Sequence, residues 1–287
     1  MRLRHAAWFL IVAAPAWADD VPTTAPTAFD RSPYTVFNPV PVDHLRSLNS
    51  DRPSVTTGPF TVDPGHLQVE SSFVQYTRDQ SAHTGGDGGD GFSILPTEFR
   101  VGLTERTEID LTVSPLLYQH LPHAGHQDGF GDLQLQAKFN LFGDDSGDVA
   151  VGVVPYLTLP TASAARGLGT GRVQGGVLLP VQVNLPADFS LGGEVGFDFP
   201  RNDANTGTGF DVTHTLFVGH PIVGPLDIYG EYVGITPVSL GHGYQAYADV
   251  GLTFAVSGDV QLDAAVNVGC SRDTDRYTIL AGITVRR

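Results

Sequence analysis

Three histidines, His120, His123 and His126, fall within one short stretch, with Asp128 just beyond. Imidazole nitrogens bind transition metals, and a loop can bend several of them onto one ion. Closed zinc sites pair their ligands on defined turns, and this spacing lacks such pairs. An exposed polar loop is the plainer reading, with no metal ligand assigned. The run Gly85-Gly86-Asp87-Gly88-Gly89-Asp90-Gly91 resembles one unit of a calcium-binding Gly/Asp repeat. Such repeats work by stacking, and a single copy has nothing to stack on, so it reads as a loop tip.

His214 stands on the apolar side of its segment, between Val212 and Leu216. Outer-membrane phospholipases set a Ser–His pair on the lipid face of a twelve-stranded barrel, with the serine two residues after the histidine and then Asn-Gly. Here Leu216-Phe217-Val218 follows. A nucleophile needs its base within hydrogen-bond reach, and no candidate serine is apparent, so no catalytic residue is assigned. A polar residue near a membrane rim accounts for His214.

The other ionisable residues fall into a pattern. Taken by alternate positions, Glu70, Glu98, Glu108, Asp110, Glu194, Asp198, Asp211, Asp227, Glu231, Asp249 and Asp263 share one side of their segments. Arg100, Lys138 and Arg172 share it with them. Charges are costly against lipid, so one consistent parity marks the inside of a membrane wall. One reading of these residues is a hydrated, cross-linked interior. The sharper reading is an acidic lumen that favours cations or neutral solutes, because rings of carboxylates do this in pores.

What must position them is a set of long strands. From about Gly65 to the end, segments alternate apolar and polar residues over the nine or more positions that a tilted membrane strand requires. Leu133, Leu135, Ala137, Phe139 and Leu141 oppose Gln134, Gln136, Lys138 and Asn140. Tyr244, Ala246, Ala248, Val250, Leu252, Phe254 and Val256 oppose Gln245, Tyr247, Asp249 and Thr253. A helix would smear either set around its circumference. The spacing predicts twelve strands, near 66–77, 92–103, 107–118, 131–142, 148–159, 172–184, 188–199, 209–219, 226–236, 243–256, 259–269 and 276–286. Short turns such as Ser257-Gly258-Asp259 lie between longer stretches such as Gln80–Gly91, His120–Gly129 and Thr161–Gly171. Short turns on one side, long loops on the other and an even count are the wiring of a bacterial outer-membrane barrel. Phe199, Phe210, Tyr244 and Tyr277 near one rim, and Phe139, Phe189 and Phe254 near the other, make the two expected aromatic belts. The fold class is therefore an all-β, antiparallel up-and-down transmembrane barrel. A soluble β-sandwich, with strands of five or six residues, is the alternative.

The start of the chain agrees with export. Arg2 and Arg4, the apolar run Ala6–Ala14 and the site Ala16-Trp17-Ala18 have the layout of a secretory signal peptide, too short to span a bilayer. Its removal takes the formal charge from −15 to −17. So negative a chain repels nucleic acid. The single Cys270 makes no internal disulfide, and 34 Gly with one lysine suit strands and turns. The organisation is a signal peptide over 1–18, a leader over 19–64 and a barrel over 65–287. The leader opens with a Pro/Thr/Ala-rich stretch, carries a short helix expected over Asp43–Leu48, and either hangs in the periplasm or enters the lumen as a plug.

Several motifs in order are similar to one family. They are Asp51-Arg52-Pro53-Ser54-Val55-Thr56, Pro59-Phe60-Thr61-Val62-Asp63-Pro64-Gly65-His66, Arg100-Val101-Gly102-Leu103-Thr104-Glu105-Arg106-Thr107-Glu108, Pro155-Tyr156-Leu157-Thr158-Leu159-Pro160-Thr161 and Gly175-Gly176-Val177-Leu178-Leu179-Pro180. Over roughly Asp51 to Arg287 the chain resembles the phenol meta-pathway degradation family of outer-membrane barrels, often called transporters. The resemblance implies a barrel in the outer membrane and a transport role, with no established catalytic residues to carry over. A link to aromatic compounds comes from the family label alone. Barrels of this kind commonly end in an aromatic residue, whereas this chain ends Val285-Arg286-Arg287.

The expectation is thus an outer-membrane channel for small solutes, without cofactor, metal or chemistry of its own, whose partners are membrane lipid and the solute. A structural or surface-interaction barrel with a closed lumen is the reading from another class. Nothing in the pattern specifies an oligomer.

Overall fold

The computed structural model describes residues 29–78, 90–121, 125–145, 147–200, 207–238, 243–272 and 274–287. The stretch expected to be a signal peptide (1–18), His123 and most of the Gly/Asp run lie outside the described residues.

Alternation becomes a closed wall. The strands are β1 (Leu67–Arg78), β2 (Asp90–Ile94 continued by Thr97–Thr104), β3 (Thr107–Val113 continued by Leu116–Leu121) and β4 (Gly125–Gly129 continued by Leu133–Phe142). They are followed by β5 (Val149–Leu159), β6 (Gln174–Asn184), β7 (Ser190–Phe199), β8 (Asp211–Val223), β9 (Leu226–Pro237), β10 (Gln245–Ser257), β11 (Val260–Gly269) and β12 (Tyr277–Arg286). Each pairs antiparallel with the next, and β12 returns to β1 from Gln68↔Arg286 to Arg78↔Tyr277. The result is a closed twelve-stranded barrel. Closure matters physically, because an open edge would leave unpaired N–H and C=O groups in hydrocarbon. No described helix is long and apolar enough to cross a membrane.

The lipid face is apolar and exposed, as at Leu135, Phe139, Leu141, Val195, Val250, Phe254 and Ile279. Rings meet at the rims: Phe199 and Phe210 lie 5.6 Å apart, and Phe189 lies 4.3 Å from His220. The rim with both barrel termini carries tight turns, among them Gly224-Pro225 and Gly258-Asp259. It is the periplasmic rim of an outer-membrane barrel.

Three expectations need correction. β2, β3 and β4 are each broken in two, at Leu95-Pro96, Ser114-Pro115 and 130–132; at the first two a proline, which cannot donate to a ladder, marks the break. Leu95 sits at φ 54°, a left-handed turn that lets the strand resume. The His120–Gly129 stretch is not a long loop; Leu116–Leu121 and Gly125–Gly129 pair as a hairpin extending the wall outward. The helix expected over Asp43–Leu48 is only a three-residue 3-10 turn, Val42–His44, with no side-chain cap and an extended Leu45 after it. Six residues without a cap do not sustain a helix.

The wall's two faces give a direct test. Lysine at Leu135, on the lipid face of β4, should cost about 2–4 kcal/mol near the bilayer midplane. Lysine at the neighbouring Gln136, whose amide bonds the inward Glu98, should cost far less. Folding free energies in phospholipid vesicles, from denaturant titration of both variants, are expected to separate; equal costs would reverse the assignment of faces.

Candidate functional site

The barrel interior is not lined by a conventional apolar core. Inward positions carry Gln68, Glu70, Ser72, Arg100, Glu108, Asp110, Lys138, Asn140, Glu194, Glu231, Asp249, Asp263 and Thr284, all buried. What buries many of them is the chain preceding β1. Its prolines, among them Pro39, Pro41, Pro53, Pro59 and Pro64, hinder any regular ladder of its own. Its N–H groups, removed from water, must then find acceptors elsewhere.

The wall supplies them as carboxylates. Glu231 accepts from the N–H groups of Val55 at 2.8 Å and Thr56 at 2.7 Å, and from the Thr56 hydroxyl. Glu194 accepts from the Thr57 N–H at 3.2 Å, and Glu108 from the Val62 N–H at 2.6 Å. Glu70 accepts from the Ser50 hydroxyl and from the N–H groups of Asp51 and Arg52. Residues 49–58 thus climb along the wall as far as β7 and β9, and 59–65 descend into β1. Hydrogen bonds to ionised acceptors are the stronger kind, which makes this a firm polar contact without apolar packing.

Around that contact the charges pair across neighbouring strands. Glu108 faces Lys138 and Asp110 faces Arg100 in the β-ladders. Arg100 donates to Glu70 at 2.7 Å and to Glu108 at 2.8 Å. Lys138 reaches Asp51 of the N-terminal segment at 2.6 Å and Glu108 at 3.3 Å. Burial by itself would raise the Asp51 carboxyl, but Arg100 and Lys138 outweigh it and hold the group below its ordinary value of 3.8. Arg52 sends two bonds to Asp263, at 2.7 and 3.2 Å, and one to Ser72 at 2.7 Å. Gly282 makes room for it, since a Cβ there would collide with the guanidinium.

The remaining inward candidates are placed differently. Glu98 accepts from Gln136 at 2.6 Å, and Asp198 from Tyr156 at 2.5 Å and Thr213 at 2.6 Å. Asp211 opens β8 opposite Pro237 and Asp198. Asp227 is exposed at the periplasmic end of β9, on a cavity of about 520 Å³ shared with Arg52 and Tyr229. Asp249 is buried opposite Glu231 and Asn267, and neither of its carboxylate oxygens has a hydrogen-bond partner. Arg172 is a correction: it precedes β6 in an exposed loop and donates to the Gly207 carbonyl at 3.4 Å, because the wall begins only at Gln174.

A second group at the periplasmic mouth escapes sequence reasoning. Arg31 bonds Asp63 and Asp145, at 2.8 and 2.9 Å, and Arg46 bonds Asp145 at 2.8 Å. Arg286 bonds Asp259 at 2.7 Å and the Arg46 carbonyl at 2.8 Å. The terminal Val-Arg-Arg has a structural use, since Arg286 fastens the last strand to this mouth. The adjacent pair Asp144-Asp145 in a tight turn was the one signal available for it.

Nothing in this arrangement forms a catalytic constellation. His214 Nε2 lies 3.1 Å from the Tyr244 hydroxyl, and the positions opposite it are Val195 and Gly234, so no serine faces it across either ladder. Among the described residues no three His, Cys, Asp or Glu side chains converge as metal ligands.

A sequence profile for the family described as "Putative MetA-pathway of phenol degradation" matches residues 50–286. The crystal structure of an outer membrane channel from Pseudomonas putida F1 is similar with a TM-score of 0.59 at 15% identity, over 82% of this chain and 100% of that one. The NanC porin is similar with a TM-score of 0.50 at 9% identity, over 76% of this chain and 98% of that one. The likeness is one of fold, that of the outer-membrane barrel. No curated protein matches the chain.

The buried charges lead to a stability prediction. Lys138→Met removes a cation from between Asp51 and Glu108 and should cost on the order of 3 kcal/mol in urea unfolding. Because the Asp51 carboxyl is held low, its contribution is fully present above pH 3.8 and is lost as pH falls through its lower folded value. Protease protection of the N-terminal segment should therefore hold from neutral pH down to the ordinary carboxylate range and weaken below it. Asp51→Asn should remove that acid-dependent step.

Proposed function

The chain belongs to the phenol meta-pathway degradation family of outer-membrane barrels, and on that premise we propose that it is a channel for small solutes whose periplasmic half is closed by its own N-terminal segment. The observation that carries the reading is how the segment is held. Wall carboxylates grip its backbone N–H groups at Val55, Thr56, Thr57 and Val62. Once the lumen is wetted, water can replace each of these hydrogen bonds, whereas interdigitated apolar packing has no such replacement. A segment seated in this way is a displaceable plug.

Space on either side of the plug fits the reading. A cavity of about 350 Å³ opens at the outer end, lined by Gln75, Thr77, Ser93 and Gln119 among others, and cavities of about 520 and 360 Å³ open at the periplasmic end. Glu98, Asp198 and Asp249 add carboxylates to the inward face, so on this reading the path prefers cations and neutral solutes to anions. The family description names a pathway of phenol degradation, and phenols are small and neutral at physiological pH. On this reading the protein has no enzymatic activity. The closed structural barrel is the competing reading, favoured by the density of bonds in the lumen.

Planar-bilayer recording separates the two. Full-length mature protein should show small, intermittent conductance, and deletion of residues 19–58 should raise it severalfold with a reversal potential of cation-selective sign. Asp198→Asn combined with Asp249→Asn should reduce that selectivity without unfolding the barrel. Silence in both the full-length and the deleted protein would favour the closed structural barrel.

A further inference from the structure

The outer cavity has a chemistry of its own. Lower on the same strands stand Glu70, Glu98 and Asp110, but toward the outer end the inward positions of β1, β2 and β3 turn uncharged. The ladders set them in two tiers. Gln75 of β1 pairs with Ser93 of β2, and Ser93 with Leu117 of β3. One step outward, Thr77 pairs with Gly91, and Gly91 with Gln119. These six positions line the cavity of about 350 Å³.

The tiers keep hydrogen-bonding capacity in hand. Ser93 Oγ has no hydrogen-bond partner, a state that costs free energy until something pairs with it. The Gln75 and Gln119 amides bond no other described residue. The Thr77 hydroxyl meets that of Thr278 at 3.0 Å and retains a further lone pair. Gly91 leaves a recess between Thr77 and Gln119, where an added Cβ would meet nothing closer than the Tyr118 carbonyl at 3.6 Å. At the β4 end the wall is closed by the loop between β5 and β6. Its Leu168 is buried against Gly129, and Asp132 ties it through the N–H groups of Ala162 and Thr170.

We propose that these tiers are a recognition site for one small, neutral, polyhydroxylated solute the size of a single sugar ring. Each amide offers a carbonyl acceptor and two N–H donors, and each hydroxyl both donates and accepts, which suits a polyol from several sides at once. A cavity of this volume falls in the range of small-molecule sites. Leu117 is the one apolar side chain of the six, enough to lie under one face of such a ring. Phe92 and Tyr118 have the opposite parity and meet each other at 6.4 Å, so a bare aromatic solute finds little surface here. None of the six is a cation that would hold an anion, and Asp275 at the edge repels one. Sites that hydrogen-bond a ligand's hydroxyls reject analogues that lack them. The inference rests on the channel reading for the solute's passage, not for its binding.

Saturation-transfer NMR on the refolded full-length mature barrel in micelles tests it, with D-glucose, phenol and gluconate as probes. Glucose should bind, and neither phenol nor gluconate should displace it. Gln75→Leu and Gln119→Leu should each weaken glucose binding at least about threefold, the worth of one hydrogen bond. Gly91→Leu, which fills the recess, should abolish it, and Gln261→Ala, at the periplasmic end, should leave it unchanged. Heat-modifiable gel mobility verifies that each variant is folded. Absence of glucose binding by wild type, or equal binding by wild type and Gly91→Leu, would overturn the site. Displacement of glucose by phenol or gluconate would overturn the solute class. Glucose binding by a barrel that is silent in bilayers, with or without residues 19–58, would keep the site and remove the channel. Conductance without glucose binding would do the reverse.

Discussion

A charge turned away from lipid is only half accommodated; once inside a barrel it still needs a partner. Here that partner is in large part the chain's own N-terminal segment. Glu231, Glu194, Glu108 and Glu70 meet its N–H groups, Lys138 meets its Asp51, and its Arg52 meets Asp263. Without the segment the wall would enclose more carboxylates than Arg100 and Lys138 balance, and water would have to solvate the excess. Without those carboxylates, a proline-rich segment would have nowhere to satisfy its backbone. Wall and segment are two halves of one electrostatic unit.

The same unit sets the dynamics. The lipid face is held by the hydrophobic effect and by a closed circle of ladders. The lumen is held by polar contacts, strong while dry and weak once water enters. The outside thus rests on closed ladders and the inside on polar contacts, the division that the proposed channel would use. The ionic cluster of Arg31, Arg46, Asp63, Asp145 and Arg286 adds a second hold at the periplasmic mouth.

Much of the fold could be read from the chain because lipid enforces period two: Leu133 to Leu141 outside and Gln134 to Asn140 inside admit no other wall. The reading ended where that enforcement ends. His120, His126 and Asp128 lie on the outward hairpin, where apolar and polar residues no longer alternate, so that stretch resembled a loop. Arg172 was assigned by carrying parity past the end of β6 into residues that are no longer strand. Parity also says which side of the wall a charge stands on and nothing about what it touches. Glu231 and Thr56 are separated by most of the chain, and the segment carrying Thr56 has no periodicity to announce its place. Asp144-Asp145 and Arg286 were visible as types, but their common focus at Arg46 and Asp63 exists only in three dimensions.

The central claim is that the N-terminal segment is seated in the lumen by wall carboxylates. Residue-resolved amide hydrogen exchange on the refolded barrel in micelles tests it most directly. The account predicts that the amides of Val55, Thr56, Thr57 and Val62 exchange far more slowly than a free chain, and that Glu231→Gln speeds Val55 and Thr56 selectively. Exchange of all four at free-chain rates in the intact barrel would contradict it.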